Sequence, residues 1–118
     1  MKASRFEDLI AWQKARVLTR DIYVATRSPL FSKDYGLAGQ IQRASVSIMS
    51  NIAEGVERHG ANELSHFLSL AKGSSAEVRA QLYIALDIGY LDQGQFARLY
   101  AQADEVGRLV GSLRASNI

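Results

Sequence analysis

Cysteine is absent from the sequence, and proline occurs once, at Pro29. The first absence excludes disulfides, thiolate nucleophiles, Cys-ligated zinc and iron–sulfur clusters, and it suits a reducing cytoplasm. The second, with nine glycines that mostly fall near possible segment ends, argues against an all-β fold. Long hydrophobic runs are also lacking. The longest are a few residues, far short of the ~20 needed to span a bilayer. The stretch Met-Lys-Ala-Ser-Arg-Phe-Glu-Asp at the amino end has none of the apolar character of a secretory signal. The expectation is a soluble, cytoplasmic protein with no membrane partner.

What is present is ordinary for one globular domain: 118 residues, 47% hydrophobic and 22% charged. A chain of this length buries roughly two-thirds of its unfolded surface, so residues 1–118 read as a single domain with its own core. The net charge is only +2, but it is unevenly spread. Residues 1–27 carry six basic residues against three acidic ones. The remainder carries eight against nine.

Apolar residues recur at steps of three and four, the helical spacing. A first helical segment is predicted from Phe6 to Arg27, with Ala11, Ala15, Leu18, Ile22 and Ala25 inward and Trp12 at the margin. It stops before Ser28-Pro29, because the residue before proline is pushed out of the α region. Leu30 and Phe31 are expected to fold back onto the core. A second helix runs from Tyr35 to Arg58 on Leu37, Ile41, Ala44, Ile48, Ile52 and Val56, with Gly60 as its left-handed stop. Asn62 is the expected N-cap of a third helix, Glu63 to Ile88, closed by Gly89. Asp92 and Gln95 have the spacing of a capping box that opens a fourth helix, ending near Arg114. Four such helices with short connections predict an all-α, antiparallel up-down-up-down four-helix bundle. On the fourth, Ala103, Gly107, Gly111 and Ala115 recur every four residues, a line of small side chains suited either to packing within the bundle or to a subunit contact.

Beside the apolar stripe of the second helix runs a polar seam, Gln40, Arg43, Ser47, Asn51, Glu54 and Arg58. A solvated face is the simple explanation. Folding the second and third helices back on each other, however, places Ser47 near Ser74 and Arg43 near Glu77. The expectation is a structural polar network with an Arg43–Glu77 ion pair and hydrogen bonds from Asn51 and Glu54, around a close approach at Ala44, Ser47, Gly73 and Ser74.

Catalytic patterns are weak. Glu63-Leu-Ser-His66 has one Glu-x-x-His where a dimetal bundle needs two, plus two further glutamates. Its place in a first helical turn gives Glu63 a dipole reason to be there. His59 and His66 have no Ser–His–Asp setting, and Lys72-Gly73-Ser74 lacks the upstream glycine of a phosphate loop. No metal, cofactor or enzymatic activity is expected. The basic residues of the first segment are more suggestive. Arg5, Arg16, Arg20 and Arg27 fall within about 60° of one another if the helix extends back to Arg5, and Tyr23 borders them. Arginine forks bind phosphates, and an aromatic neighbour stacks on bases. The same arginines also suit a solvated face paired to Asp8, to Asp21 or to neighbouring subunits.

Three blocks carry a family resemblance: Phe6-Glu-Asp-Leu-x-x-Trp12; Gln40-Ile-Gln-Arg43-Ala-Ser-Val-Ser47-Ile-x-x-Asn51-Ile-Ala-Glu54-Gly55; and Phe67-Leu-x-x-Ala71-Lys-Gly73-Ser74-x-x-Glu77. The chain resembles the four-helix-bundle proteins encoded in intervening sequences of bacterial large-subunit ribosomal RNA, with Met49 where a proline is frequent in that family. The resemblance implies a ring-like homopentamer. It also implies kinship with the accessory variability determinant of diversity-generating retroelements, a basic pentamer that binds nucleic acid and its reverse transcriptase. The resulting expectation is a non-enzymatic, oligomeric adaptor associated with RNA, DNA or the ribosome through the basic stripe of the first helix. The alternative is a homo-oligomeric protein-interaction scaffold that does not touch nucleic acid.

Overall fold

In the computed structural model, residues 5–116 are described, and they form four α-helices: α1 (Ile10–Ala25), α2 (Tyr35–Glu57), α3 (Ala61–Ile88) and α4 (Gln93–Ser116). Short 3₁₀ turns at Phe6–Asp8 and Phe31–Lys33 precede α1 and α2. No strand occurs among the described residues, and none of their helices is long and apolar enough to cross a membrane.

Each helix packs on its neighbours in the cyclic order α1, α2, α3, α4 and back to α1. Paired contacts run in opposite residue order, as they must between antiparallel neighbours. Thr19 reaches Ser45, and Thr26 is reached from Gln42. Lys72 reaches Gly107, and Arg114 reaches Ser65. Lys14 meets Glu105, while Asp21 accepts from Gln102. The overall extents are 43 × 21 × 19 Å, the long one matching about 42 Å for a 28-residue helix.

The predicted inward stripes form the core. Leu18, Ile22, Ile41, Ile48, Ile52, Leu68, Val78, Leu82, Val106 and Val110 are all buried to within 1%. Burying each such side chain contributes about 1.5–3 kcal/mol. Glycine is required where helices touch most closely. A Cβ on Gly107 would lie 2.8 Å from Ser75 Oγ, and one on Gly55 would lie 3.0 Å from Phe67 Cβ. The small-residue line of α4 therefore faces α3 at Gly107, inside the bundle.

Several helix ends differ from expectation. The first helix begins at Ile10 and not Phe6, because Leu9 is extended (φ −79°, ψ 129°) and turns its side chain into the core. Phe6 then packs edge-on against Trp12 at 5.0 Å. Phe31 is buried and stacks on Tyr90 at 5.1 Å, whereas Leu30, just ahead of the 3₁₀ turn, does not fold back onto the core and stays 65% exposed. Between α2 and α3 the left-handed residue is His59 (φ 58°), while Gly60 is extended (φ −120°) and serves as the N-cap. With the reversal made one residue early, α3 starts at Ala61 and Asn62 lies inside it, no longer able to cap. Other ends match the sequence. Gly89 is left-handed (φ 93°), with Tyr90 N–H on the Ala85 carbonyl at 2.8 Å. Asp92 Oδ1 accepts from Gln95 N–H at 2.8 Å, and Gln95 Oε1 accepts from Asp92 N–H at 2.9 Å, a reciprocal capping box.

Candidate nucleic-acid interface and the polar seam

The basic residues of the amino-terminal third do not form one helical stripe. Only Arg16, Arg20 and Tyr23 stand on α1. Arg5 precedes the 3₁₀ turn and makes an exposed ion pair with Glu7 at 3.5 Å. That contact and, before it, a hydrogen bond to the Glu7 backbone hold the Glu7 carboxyl below its ordinary value. Arg27 lies past the α1 C-cap, Thr26, where it is exposed and without an ion-pair partner among the described residues. Arg16 is likewise exposed, its guanidinium 5.9 Å from the Trp12 ring centre. Arg20 is drawn sideways to Asp21 at 3.1 Å, and Tyr23 keeps 39% of its surface. Arg16, Tyr23 and Arg27 thus remain available to a ligand. Arg20 is partly neutralised, and Arg5 is separated from the others by the break at Leu9.

The seam between α2 and α3 is only partly the network expected. Ser74 donates to Ser47 Oγ at 3.1 Å, and Asn51 Nδ2 donates to Ser47 Oγ and to its carbonyl at 3.0 and 2.9 Å. The Ser74–Ser47 bond agrees with the register read from sequence, while the Asn51 bonds run along α2 itself. The Arg43–Glu77 ion pair is not formed. Arg43 folds back along its own helix, its Nη1 3.0 Å from where a Cβ on Gly39 would stand, and both residues are exposed. Outside the bundle, solvation of two charges competes well with a surface ion pair, whose median worth is under about 1 kcal/mol. Glu54 does not join the network either. It pairs with Arg58 at 3.1 Å, one turn on, and Arg58 also reaches Glu63 at 3.4 Å and lies 5.2 Å from the Phe67 ring. Gly73 does not mediate a close approach, since a Cβ there would meet nothing within 4 Å. Ser47, Asn51, Ser69, Leu70, Gly73, Ser74 and Glu77 line an open cleft of about 470 Å³.

With Glu63 committed to Arg58, His66 lies edge-on to Phe67 at 5.3 Å. No group of three or more His, Cys, Asp or Glu residues converges among the described residues.

Some polar links were not read from sequence. Tyr90 donates to Asp34 Oδ2 at 2.9 Å, while Asp34 Oδ1 caps α2 by accepting from Leu37 N–H at 3.1 Å. The cap was legible in principle, as an aspartate just ahead of an apolar-periodic run. The tyrosine, 56 residues away, left no local signal. On the α3–α4 side, Tyr83, Phe96 and Tyr100 cluster with centroids 4.9–5.6 Å apart, and Arg79 lies 6.0 Å from the Tyr100 ring.

These features define a class: an all-α four-helix protein with a hydroxyl–amide seam between its two longest-contacting helices and an arginine-bearing short helix. The sequence profile of the family described as 23S rRNA-intervening sequence protein matches residues 7–112, and the chain belongs to that family. A crystal structure of a protein of unknown function from the S23 ribosomal protein family of Bacteroides thetaiotaomicron VPI-5482 superposes with a TM-score of 0.81 at 20% identity. The match covers 88% of this chain and 97% of that one, and it establishes a shared fold. No curated protein matches the sequence.

Proposed function

We propose that this protein is a non-enzymatic, homo-oligomeric adaptor of the cytoplasm that binds RNA or DNA backbones through the basic side chains around α1. The observation that carries the reading is that Arg16 and Arg27 are exposed without a carboxylate partner among the described residues, with the half-exposed Tyr23 between them in sequence. Guanidinium groups left free in this way suit phosphate oxygens, and the tyrosine suits an unpaired base. A ring of subunits, the pentamer that the family resemblance implies, repeats each weak contact and raises avidity. Association with the ribosome or with a reverse transcriptase fits the same adaptor role. One observation favours a protein-binding scaffold instead: Ile10, Val17 and Val24, seven residues apart, form an exposed apolar row on α1.

The deciding experiment is binding of nuclease-treated protein to structured RNA across a salt series. Backbone binding gives a log–log slope that steepens with the number of phosphates neutralised. Changing Arg16, Arg20 and Arg27 together to glutamine is expected to weaken binding and flatten that slope by roughly one per lost contact, with helicity unchanged. Absence of binding at low salt removes the nucleic-acid reading and leaves the scaffold. Undiminished binding by the folded triple variant removes these arginines as the site.

A further inference from the structure

Three exposed side chains at one level of the bundle make no polar contact with any described residue. Tyr83 of α3 packs its ring against Phe96 at 4.9 Å and Tyr100 at 5.6 Å, yet it keeps 50% of its surface and its hydroxyl makes no hydrogen bond. Phe96 and Tyr100 stand on either side of Arg98 along α4, so Tyr83 is level with Arg98. Arg98 is exposed, and its guanidinium has neither an ion pair nor a hydrogen bond among the described residues. On the other side of α4, the contacts of Lys14 with Glu105 and of Asp21 with Gln102 put Arg98 level with Tyr23 of α1, which is 39% exposed. One turn before Tyr83, Arg79 lies 6.0 Å from the Tyr100 ring, and its buried Nε has no hydrogen-bond partner among the described residues. Neighbouring helix axes lie about 8–10 Å apart, so Tyr23, Arg98 and Tyr83 mark a band that crosses α1, α4 and α3 over about 20 Å.

We propose that this band is a platform for a single-stranded segment of nucleic acid, whose bases stack on Tyr83 and Tyr23 and whose phosphates pair with Arg98 and Arg79. The inference rests on the nucleic-acid part of the function proposed above. It extends the contact from α1 across α4 to α3, and it specifies a single strand. The alternation of aromatic and guanidinium groups selects the occupant. Every base has a π-face and every linkage carries a phosphate, so rings and cations taken in turn match successive nucleotides. In a duplex the bases are stacked on one another, which leaves the two tyrosine rings without use. Packing within the bundle accounts for Phe96 and Tyr100, both partly buried, but not for the outer half of Tyr83. Arg79 is prepared for an anion at the same place. Held against Tyr100 with Nε cut off from water, it gains from a charged acceptor a bond that its own chain does not supply. Of the acidic side chains beside the band, Asp21 is engaged with Arg20 and Gln102, and Asp104 with Arg108. Asp87, exposed one turn beyond Tyr83, marks where the band ends.

The test is fluorescence anisotropy of labelled oligouridine and of a duplex RNA of the same length, each across a salt series, with the full chain and its Tyr83→Leu and Arg98→Gln variants. Leucine keeps an apolar contact with Phe96 and Tyr100, and Arg98 has no described partner to lose, so both variants are expected to retain full helicity. The single strand is expected to bind more tightly than the duplex. Tyr83→Leu is expected to lower affinity for the single strand on the order of 10-fold with the salt slope unchanged, because stacking releases no counterions. Arg98→Gln is expected to flatten that slope by about 0.7, the share of one phosphate on a single strand. A duplex that binds at least as tightly, a folded Tyr83→Leu variant that binds like the wild type, or an unchanged slope in Arg98→Gln overturns the platform while leaving the α1 arginines as a backbone site. A wild type that binds neither probe at low salt overturns both.

Discussion

Ser47 Oγ is a shared acceptor: it takes a hydrogen bond from Ser74 Oγ across the α2–α3 seam at 3.1 Å and another from Asn51 Nδ2 along its own helix at 3.0 Å. Ser74 is 6% exposed, so its hydroxyl has little access to a substitute partner. Ser47→Ala is expected to cost about 1–2 kcal/mol and Ser74→Ala about 1 kcal/mol. The double variant should lose less than the sum of the two. Denaturant titration of the cycle checks this, and strict additivity refutes the link.

Two helix-interior glycines, Gly107 of α4 and Gly73 of α3, respond oppositely to a side chain. Gly107→Ala is expected to destabilise by about 1–3 kcal/mol, because its Cβ would stand 2.8 Å from Ser75 Oγ. That hydroxyl is already engaged with the Lys72 carbonyl at 2.7 Å and cannot simply swing away. Gly73→Ala meets nothing and should stabilise the helix by about 0.5–1 kcal/mol. Thermal melts of both variants, taken at one low concentration, provide the comparison.

Tyr90 ties the α3–α4 turn to the head of α2. Its hydrogen bond to Asp34, followed by desolvation and the Asp34 charge, raises the phenol above its ordinary value of 10.0. A phenol raised on folding contributes stability that is fully present below the unfolded value and is lost as pH rises through the higher folded value. Stability is therefore expected to fall above about pH 10 as the Tyr90 phenol ionises. Tyr90→Phe should remove that alkaline component. Ultraviolet difference titration alongside denaturation reads both effects.

The helix caps give a paired prediction. Asp92→Ala breaks a reciprocal capping box and is expected to cost about 1 kcal/mol. Asn62→Ala, at the position that resembles an N-cap but lies within α3, should stay within about 0.5 kcal/mol of the wild type. Equal losses at the two positions would place the start of α3 at Glu63 after all.

Local periodicity determined most of the fold. The inward rows of Leu18–Ile22, Ile41–Ile48–Ile52, Val78–Leu82 and Val106–Val110 are dictated by a 3.6-residue repeat, and any compact arrangement of these helices must bury them. Even the Ser47–Ser74 contact follows from the sequence once α2 and α3 are folded back on each other, because the register of an antiparallel pair is a counting problem. The cap at Asp92–Gln95 and the left-handed Gly89 are equally local.

Tertiary structure decided what depends on competition between partners. Whether Arg43 reaches Glu77 turns on whether an ion pair beats hydration, and on an open face it does not. Burying Leu9 set the start of α1 and thereby cut Arg5 off from Arg16 and Arg20. The bond from Tyr90 to Asp34 bridges 56 residues, and no spacing rule anticipates it. Which side Gly73 and Gly107 face is settled only when all four helices are placed: one looks outward into open space, the other against Ser75. Sequence determines the elements and their apolar faces because those forces act within a few turns. The charges, ends and exposed small residues depend on which neighbour arrives, and that is a property of the assembled bundle.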